Sequence, residues 1–338
     1  MNINLRSPYH ITVTDANLTS CLIELYVYTG TQTADRGIAK YTLETIAYNN
    51  TVTFEISELV RDYLDITFDG TYTSQTVWVD YQITKYILES PTTPNEIVKL
   101  IGFDGYGYFE DGVNPQLDNI GLLQSNNIIL NLLGEDVTVA VDQTIIDAVS
   151  YWNDTTLLQQ YTILETTESD DSIRYFSYPN ATFIRFSYGD DDSFDVKITN
   201  IEECKHTPYK ITFINKFGAK QNIWFFKKSN LDLTTTKEEY KSNILNNGTY
   251  DISNHQKRIL KKQGNEKLVL NTGFVDEQMN EVFRQLMLSE QVWLDIDNKV
   301  LPINIINSSF AYKTSLNDGL INYTINCEFA FDKINNIK

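Results

Sequence analysis

The sequence has little cysteine, histidine, glycine or proline. Cys21, Cys204 and Cys327 are odd in number and far apart, which predicts no disulfide framework and fits synthesis in a reducing cytosol. Only 15 Gly and 7 Pro in 338 residues exclude collagen-like and low-complexity chains. With three histidines, the usual general-base arrangements of enzymes have few residues to draw on.

Long apolar runs and catalytic motifs are also missing. Because no apolar stretch approaches about 18 residues, we predict no membrane-spanning helix. The opening residues, Met1 to Arg6, lack the charged and then apolar pattern of a signal peptide, so none is expected. The motifs GxSxG, GxGxxG, HExxH and the Walker A loop do not occur. We therefore predict a protein that is not an enzyme and needs no cofactor.

Acidic residues dominate the charge. The net charge of −18 and the pI near 4.5 argue against stable binding to nucleic-acid backbones and to anionic membranes. The chain is rich in Tyr (21) and Phe (17), and these residues, like Val, Ile and Thr, suit a half-buried pleated sheet. The composition thus predicts a globular, mainly β protein.

A period of two residues in hydrophobicity recurs along the chain. Residues 1–112 predict a β-sandwich with a short helix over Ser57–Leu64, for which Ser57 is the expected cap. Residues 113–204 contain short strands separated by turn signals about every 8–12 residues, which predicts a second, smaller β-sandwich. The stretch Glu203–Lys228 then marks a domain junction, with Pro208 just before a new strand.

The third region, residues 205–338, differs in pattern. A strand is expected over Tyr209–Asn215, and a polar stretch at about 228–262 predicts a long arm that is either a variable loop or a segment packed on a neighbouring subunit. One apolar stripe predicts a packed helix over Asp276–Ser289. The closing strand, Leu320–Phe331, alternates strictly. Its expected inner face is Ile321, Tyr323, Ile325, Cys327, Phe329 and Phe331, and its polar face includes Asn322, Thr324, Asn326 and Glu328.

Two stretches could bind a metal ion by composition. Cys204 and His206 have no further ligands at zinc-like spacing, so Cys204 is interpreted as a small packed hydrophobe at the domain boundary. The acidic run Asp190–Asp195 could hold calcium, but its fifth and sixth positions break the loop pattern. We interpret it as a solvated turn, and calcium binding there stays open.

A third stretch, Phe103–Phe109, is aromatic and punctuated by glycine. Tyr106, Tyr108 and Phe109 could stack on a sugar ring, whereas the alternative is a twisted strand whose tyrosines cover a sandwich edge. Asp104 and Glu110 could mimic the carboxylate pair of a glycosidase, but such proximity arises by chance in a chain with 45 acidic residues.

Most of the chain resembles proteins encoded in the tail gene clusters of tailed bacteriophages, in particular marine phages and phages of Bacteroidetes hosts. The resemblance is strongest in the third region, and it has no catalytic signature. The stretches that carry it are Tyr209–Gly218, Ile223–Phe226, Leu270–Phe274, Leu288–Trp293, Leu301–Ile305 and Ile321–Ala330, together with Asn4–Tyr9 and Glu203–Lys205 near the two predicted sandwiches.

This resemblance implies a structural virion protein made in the host bacterial cytoplasm. Residues 205–338 look like the fold of phage tail tubes and distal tail proteins, which implies a six-fold ring in the tail tip, baseplate or hub. Expected partners are further copies of the chain and other tail proteins, with a host surface as an additional candidate. The alternatives are a glycan-binding adhesin and a head decoration protein. Interface or lumen candidates are Tyr240, Tyr250, Asn322, Thr324, Asn326 and Glu328.

Overall fold

Strands account for most of the ordered backbone. The computed structural model describes residues 2–88, 90–91, 94–116, 120–163, 172–189, 192–309, 311–314 and 321–334. The prediction of a mainly β fold with one packed α-helix is confirmed. By their contacts the residues form two units. Unit 1 contains residues 1–202, 212–223 and 278–290, and unit 2 contains residues 203–211, 224–277 and 291–338. The predicted division into three domains stays a prediction.

The first sandwich lies in unit 1. Its elements are β1 Asn2–Asn4, β2 His10–Thr14, β3 Leu18–Tyr28, β4 Tyr41–Ile46, β5 Thr51–Glu55, α1 Ser57–Arg61, β6 Val77–Ile87, β7 Ser90–Pro91 and β8 Val98–Phe103. One sheet has the order β1-β8-β6-β3-β4, with β7 beside β6, and the second sheet is the pair β2-β5. Alternate residues of β3, β6, β2 and β5 face each other and form the core between the sheets.

Helix α1 is shorter than predicted, and its start is stabilised differently. Ser57 does not cap it, because the residue at the cap position is Ile56 and the Glu55 carboxylate accepts hydrogen bonds from the backbone and hydroxyl of Ser57. The backbone N–H groups of Tyr63 and Leu64 each bond a carbonyl three residues earlier. The chain therefore tightens into turns after Arg61 instead of continuing the helix.

The second sandwich also lies in unit 1. After a 3₁₀ turn at Phe109–Asp111 come β9 Ile128–Leu132, β10 Asp136–Asp142, β11 Ala148–Asn153, β12 Thr156–Thr162, β13 Ile173–Pro179, β14 Phe183–Tyr188 and β15 Asp192–Ile201. The larger sheet has the order β12-β11-β14-β15-β9 and faces the pair β10-β13 across an apolar core. A further cluster joins Trp78 and Phe103 of the first sandwich to Ala140 and Ile173 of the second.

The last part of the chain forms a seven-stranded sheet. Its elements are β16 Tyr209–Ile214, β17 Lys220–Phe225, β18 Asn230–Lys241, β19 Lys257–Val275, α2 Met279–Leu288, β20 Val292–Ile296, β21 Lys299–Ile305 and β22 Ile321–Phe329. The strand order is β17-β16-β20-β21-β22-β19-β18. Helix α2 begins three residues later than predicted. It buries Met279, Val282, Phe283 and Leu286 as expected, but Gln285 is buried and Met287 only partly so.

Candidate functional site

The closing strand, β22, has the two faces that its sequence predicts. Ile321, Tyr323, Ile325, Cys327 and Phe329 are all buried, whereas Asn322, Thr324, Asn326 and Glu328 are at least partly accessible. Burial raises the pKa of the Cys327 thiol to about 12, so this cysteine is a packed, unreactive group. The strand ends at Phe329. Phe331, expected on the inner face, is instead exposed, because the alternation stops where the strand stops.

The polar face of this sheet carries both signs of charge. Glu328 lies opposite Lys267 of β19 and opposite Asn304 of β21, and Thr324 lies opposite Asn271. On the same face, following the alternation through β21 and β20, Asp295 forms an ion pair of 2.9 Å with Lys210. Asp232 of β18 also lies opposite Lys267, so lysines neutralise this face only in part.

A hairpin arm, residues 230–262, extends from this sheet. It consists of β18, the first part of β19 and the segment that connects them. All 12 residues of β18 are exposed, as are Lys257–Lys262 of β19. The two strands pair from Asn230↔Val269 to Lys241↔Lys257, with one irregularity between Glu238 and Glu239. The predicted arm at about 228–262 is therefore a β-hairpin in the structure.

The end of the hairpin arm is apolar. Asn246 and Thr249 form an isolated bridge around Asn247 and Gly248, which have φ angles of +48° and +80°. An Asn-Gly pair with two positive φ angles is the signature of a type I′ turn, which matches the twist of the flanking chain. The bridge gives this end a defined shape. Three large side chains around it are exposed to solvent: Leu245, Tyr250 and Ile252.

A two-residue period in hydrophobicity does not mark the strands of this arm, because neither strand has a buried face. The sequence Thr234–Lys241 is polar at every position except Tyr240, so no alternation marks it as β. Tyr240 and Tyr250, which were predicted as interface residues, are both in the hairpin arm and both exposed. Tyr240 lies opposite Arg258 in the ladder, and Tyr250 lies near the apolar end.

The predicted glycan patch is not a coherent surface. Tyr106 is buried under the Arg6 guanidinium, which lies 4.6 Å from its ring centre, and burial raises its pKa to about 12. Tyr108 donates a hydrogen bond of 2.7 Å to Glu281, and Arg284 covers its ring at 3.6 Å. Only Phe109 is fully exposed. The contact of all three rings with sugar stays a prediction, and it is weakened because Tyr106 and Tyr108 already pack on cations.

Arg6 and Arg61 hold the stretch that contains helix α2 against the rest of unit 1. Arg6 donates a hydrogen bond to the carbonyl of Leu288 and forms an ion pair of 3.3 Å with Glu290. Arg61 bridges Glu290 and the buried Asp104, whose pKa is raised by burial. Asp104 is therefore a partner of arginine in a structural network, and Glu110, the other carboxylate considered in the sequence, contacts Arg284 at 3.6 Å.

The candidate metal stretches have other roles. Cys204 is exposed, which contradicts its interpretation as a packed hydrophobe. Glu203 next to it accepts hydrogen bonds from the backbone of Lys205 and His206 and from the Lys227 ammonium, and these bonds lower its pKa to about 2. Asp190 and Asp191 lie outside the described residues. Asp195 forms a two-point ion pair with Arg185 at 2.8 and 2.9 Å. Among the described residues, no group of three or more potential ligands could hold a metal ion.

The turn between β16 and β17 is held by a buried network of hydrogen bonds. The Asn215 side chain is fully buried, donates hydrogen bonds to Leu123 and Gln221, and accepts others from the backbone of Phe217 and Ala219. Gly218 has a φ of +76°, and a Cβ there would lie only 3.0 Å from the backbone nitrogen of Asp104. Only glycine therefore fits at this position without strain.

Lys220, just after this turn, is a buried lysine. Its Nζ donates a hydrogen bond of 3.1 Å to the Thr73 carbonyl and lies 5.6 Å from the centre of the Phe68 ring, while its backbone N–H bonds the Tyr175 hydroxyl. Burial lowers its pKa to about 8, because the ammonium form loses its hydration. The lysine thus titrates well below the pKa of about 10.4 expected for an unfolded chain.

This lowered pKa makes stability depend on pH in a defined direction. Between pH 8 and about 10.4 the unfolded chain holds a proton that the folded chain has lost, so stability rises with pH. We expect the wild type to gain about 1–2 kcal/mol over Lys220→Met between pH 7.5 and 9.5. Urea unfolding of both proteins at the two pH values measures the difference. Equal pH dependences would contradict a shifted Lys220.

Comparison with protein families and with curated proteins does not assign this chain to a family. In the described part of the chain, no helix is both long and apolar enough to cross a membrane. No model of a protein family matches the chain, and a search of curated proteins returns no match.

Proposed function

We propose that this chain is a structural virion protein of a tailed bacteriophage, a ring-forming component of the tail tip, baseplate or hub. It would link the tail to distal or host-binding proteins. The observation that carries this proposal is the hairpin arm, an exposed two-stranded ribbon attached to a seven-stranded sheet. The phage assignment itself comes from the resemblance of stretches such as Tyr209–Gly218 and Ile321–Ala330 to tail proteins.

An exposed ribbon of this kind needs a partner. A two-stranded hairpin alone is at best marginally stable in water, and an unpaired strand edge is a template for association. The arm also exposes large apolar groups that a monomer has no reason to present to solvent. They are Leu231, Leu233, Tyr240, Leu245, Tyr250, Ile252, Ile259 and Leu260. These properties support a protein that functions in an assembly.

In a closed ring, the arm of every copy can contact a neighbouring copy. If the arm of each copy docks on the body of the next copy around the assembly, the contact is heterologous, and heterologous contacts close into rings when the rotation allows. In a ring, the polar face that includes Asn322, Thr324, Asn326 and Glu328 is the candidate lumen lining. The charged residues identified on this face show no basic excess, so the face would not attract DNA strongly.

A second candidate, a glycan-binding adhesin, keeps one supporting observation. Phe109 is fully exposed beside a cavity of about 380 Å³ that also includes Pro8, His10, Val113 and Pro115 in its lining. An exposed aromatic ring next to a shallow cavity could stack on a sugar. Two observations weaken this reading: Tyr106 is buried, and Tyr108, which also lines the cavity, has Arg284 over its ring.

The ring proposal predicts a specific mass. Six copies of the 38.9 kDa chain amount to about 230 kDa. We expect native mass spectrometry and negative-stain images of the purified protein at micromolar concentration to show a closed ring of that mass. A species that stays monomeric up to 50 µM would overturn the proposal. A trimer that binds host glycans on an array, and loses that binding in Phe109→Ala, would favour the adhesin.

A further inference from the structure

We propose that the hairpin arm docks on the acidic body of a second copy of this chain, with its apolar end as the anchor and its basic strand as the charge complement. The body is defined as all residues outside 230–262. This inference rests on the proposed function, since it names the contact that would build the ring.

Charge separates the arm from the body. Residues 230–262 contain six Lys or Arg and four Asp or Glu, a net charge of +2, whereas the body contains 21 basic and 41 acidic residues, a net charge of −20. The basic residues of the arm concentrate on one strand, at Lys257, Arg258, Lys261 and Lys262. Every copy therefore carries a basic arm and a strongly acidic body, which are electrostatically complementary.

The arm is long enough to reach beyond its own sheet. Pairing of β19 with β22 stops at Lys267↔Glu328, and the backbone N–H of Lys333 bonds the carbonyl of Gly264 a few residues further on. From Lys237↔Lys262 to Lys241↔Lys257, the described residues provide no third strand. These five positions of β18 extend for about 17 Å at the usual rise of about 3.3 Å per residue.

The apolar end of the arm adds hydrophobic contacts to the electrostatic attraction. Leu245, Tyr250 and Ile252 lie within eight residues, and Ile252 is 92% exposed. Interfaces take most of their affinity from a few large apolar or aromatic side chains that enter pockets, surrounded by polar contacts. The type I′ turn at Asn247 and Gly248 holds this end in one shape, so less conformational entropy is lost on docking.

A second copy fits this surface better than a polyanion does. Glu238 lies opposite Lys261 of the basic strand, and Lys237 already pairs with Glu239 at 2.6 Å. A net charge of +2 gives few phosphate contacts, and polyanion binding relies on many. Polyanions also offer no pocket for Ile252 and Tyr250. An acidic protein body offers both charge and pockets, and other copies are present at the same concentration.

The test uses the full chain in three variants. The first, Leu245→Ser/Tyr250→Ser/Ile252→Ser, removes the apolar anchor. The second, Lys257→Glu/Lys261→Glu/Lys262→Glu, reverses the basic strand. The third is a matched control with the same change in net charge, made at exposed lysines of the body: Lys40→Glu/Lys99→Glu/Lys205→Glu. Circular dichroism and thermal unfolding establish that each variant is folded.

Mass photometry and analytical ultracentrifugation then measure association at 50 and 500 mM NaCl. We expect each arm variant to raise the dissociation constant at least tenfold at 50 mM NaCl, while the control changes it less than threefold. In the wild type, the higher salt concentration should weaken association, and the charge-reversed variant should lose most of that salt dependence.

The other outcomes separate the two proposals. A wild-type ring that survives in both arm variants would overturn the docking inference and leave the ring standing. Equal weakening in the body control would overturn it as well, because net charge would then be the cause. Retention of the wild type on heparin, lost in the charge-reversed variant while the ring persists, would assign the arm to a polyanion instead. A monomeric wild type would overturn the ring and the docking together.

Discussion

Replacing Asn215 with alanine is expected to lower the free energy of unfolding by about 3–5 kcal/mol, because several buried groups lose their hydrogen-bond partner at once. The side chain accepts from the backbone N–H groups of Phe217 and Ala219 and donates to the carbonyl of Leu123 and to Gln221. All of this lies in the interior, so water cannot replace the missing bonds. Each orphaned buried group costs about 1–3 kcal/mol.

Urea denaturation followed by tryptophan fluorescence measures this loss. The matched control is Asn254→Ala, since Asn254 is an exposed asparagine in the hairpin arm, and it should change stability by less than about 0.5 kcal/mol. A loss below about 1 kcal/mol for Asn215→Ala would mean that the turn does not depend on this amide. The turn would then be positioned by Phe217 packing alone.

Asp80→Ala is expected to have a similarly large effect, about 3–5 kcal/mol, through an unpaired charge. Asp80 is fully buried in β6, and its Oδ2 accepts hydrogen bonds from Arg36 at 2.7 Å and from the Tyr28 hydroxyl at 2.9 Å. Arg36 is itself mostly buried. Removing the carboxylate therefore leaves a guanidinium in the interior without its counter-ion, and this desolvation is the main cost.

Two further variants isolate that cause. Asp195→Ala removes the two-point ion pair with Arg185, but both of these side chains are about 40–45% exposed, so a loss of at most about 1 kcal/mol is expected. Arg36→Ala/Asp80→Ala removes both buried charges and should recover part of the stability lost in Asp80→Ala. If the double variant is less stable than Asp80→Ala, the orphaned guanidinium is not the main cost, because Arg36 then stabilises the fold through other contacts such as its packing over the Tyr26 ring.

The sequence predicted the helices and strands well where one face of the element is buried and the other is exposed. In β22 and α2, apolar residues recur with a strand or helix period because one face is buried, and both elements are close to their predicted limits. In the hairpin arm both faces meet solvent, so no period marks its strands. Helix α1 ended early because turns after Arg61 replace the last helical bonds, and hydrophobicity does not encode that choice.

The roles of the residues at the candidate site depend on contacts between distant parts of the chain, and the local sequence does not show these contacts. Nothing local separates Tyr106 from Phe109, yet Arg6 covers the first and leaves the second exposed. Asn215 is the last residue of the predicted strand Tyr209–Asn215, and only its buried partners show that it organises the turn that follows. The arm was recognised as a long excursion from its polarity, but its basic strand and apolar end become meaningful only beside the acidity of the remaining chain.

The division of the chain between the two units also has a consequence for the order of folding during synthesis. Unit 1 consists of three separate stretches, and the last of them, residues 278–290, contains helix α2 with its fully buried Phe283. Chains usually fold from the N-terminus as domains emerge from the ribosome. Here the first 202 residues emerge with part of their unit still unmade, and unit 1 can be completed only after about residue 290 has been translated. A nascent chain would thus keep the surface that receives helix α2 open until then, whereas the two sandwich cores, formed by residues 3–100 and 122–198, can close earlier.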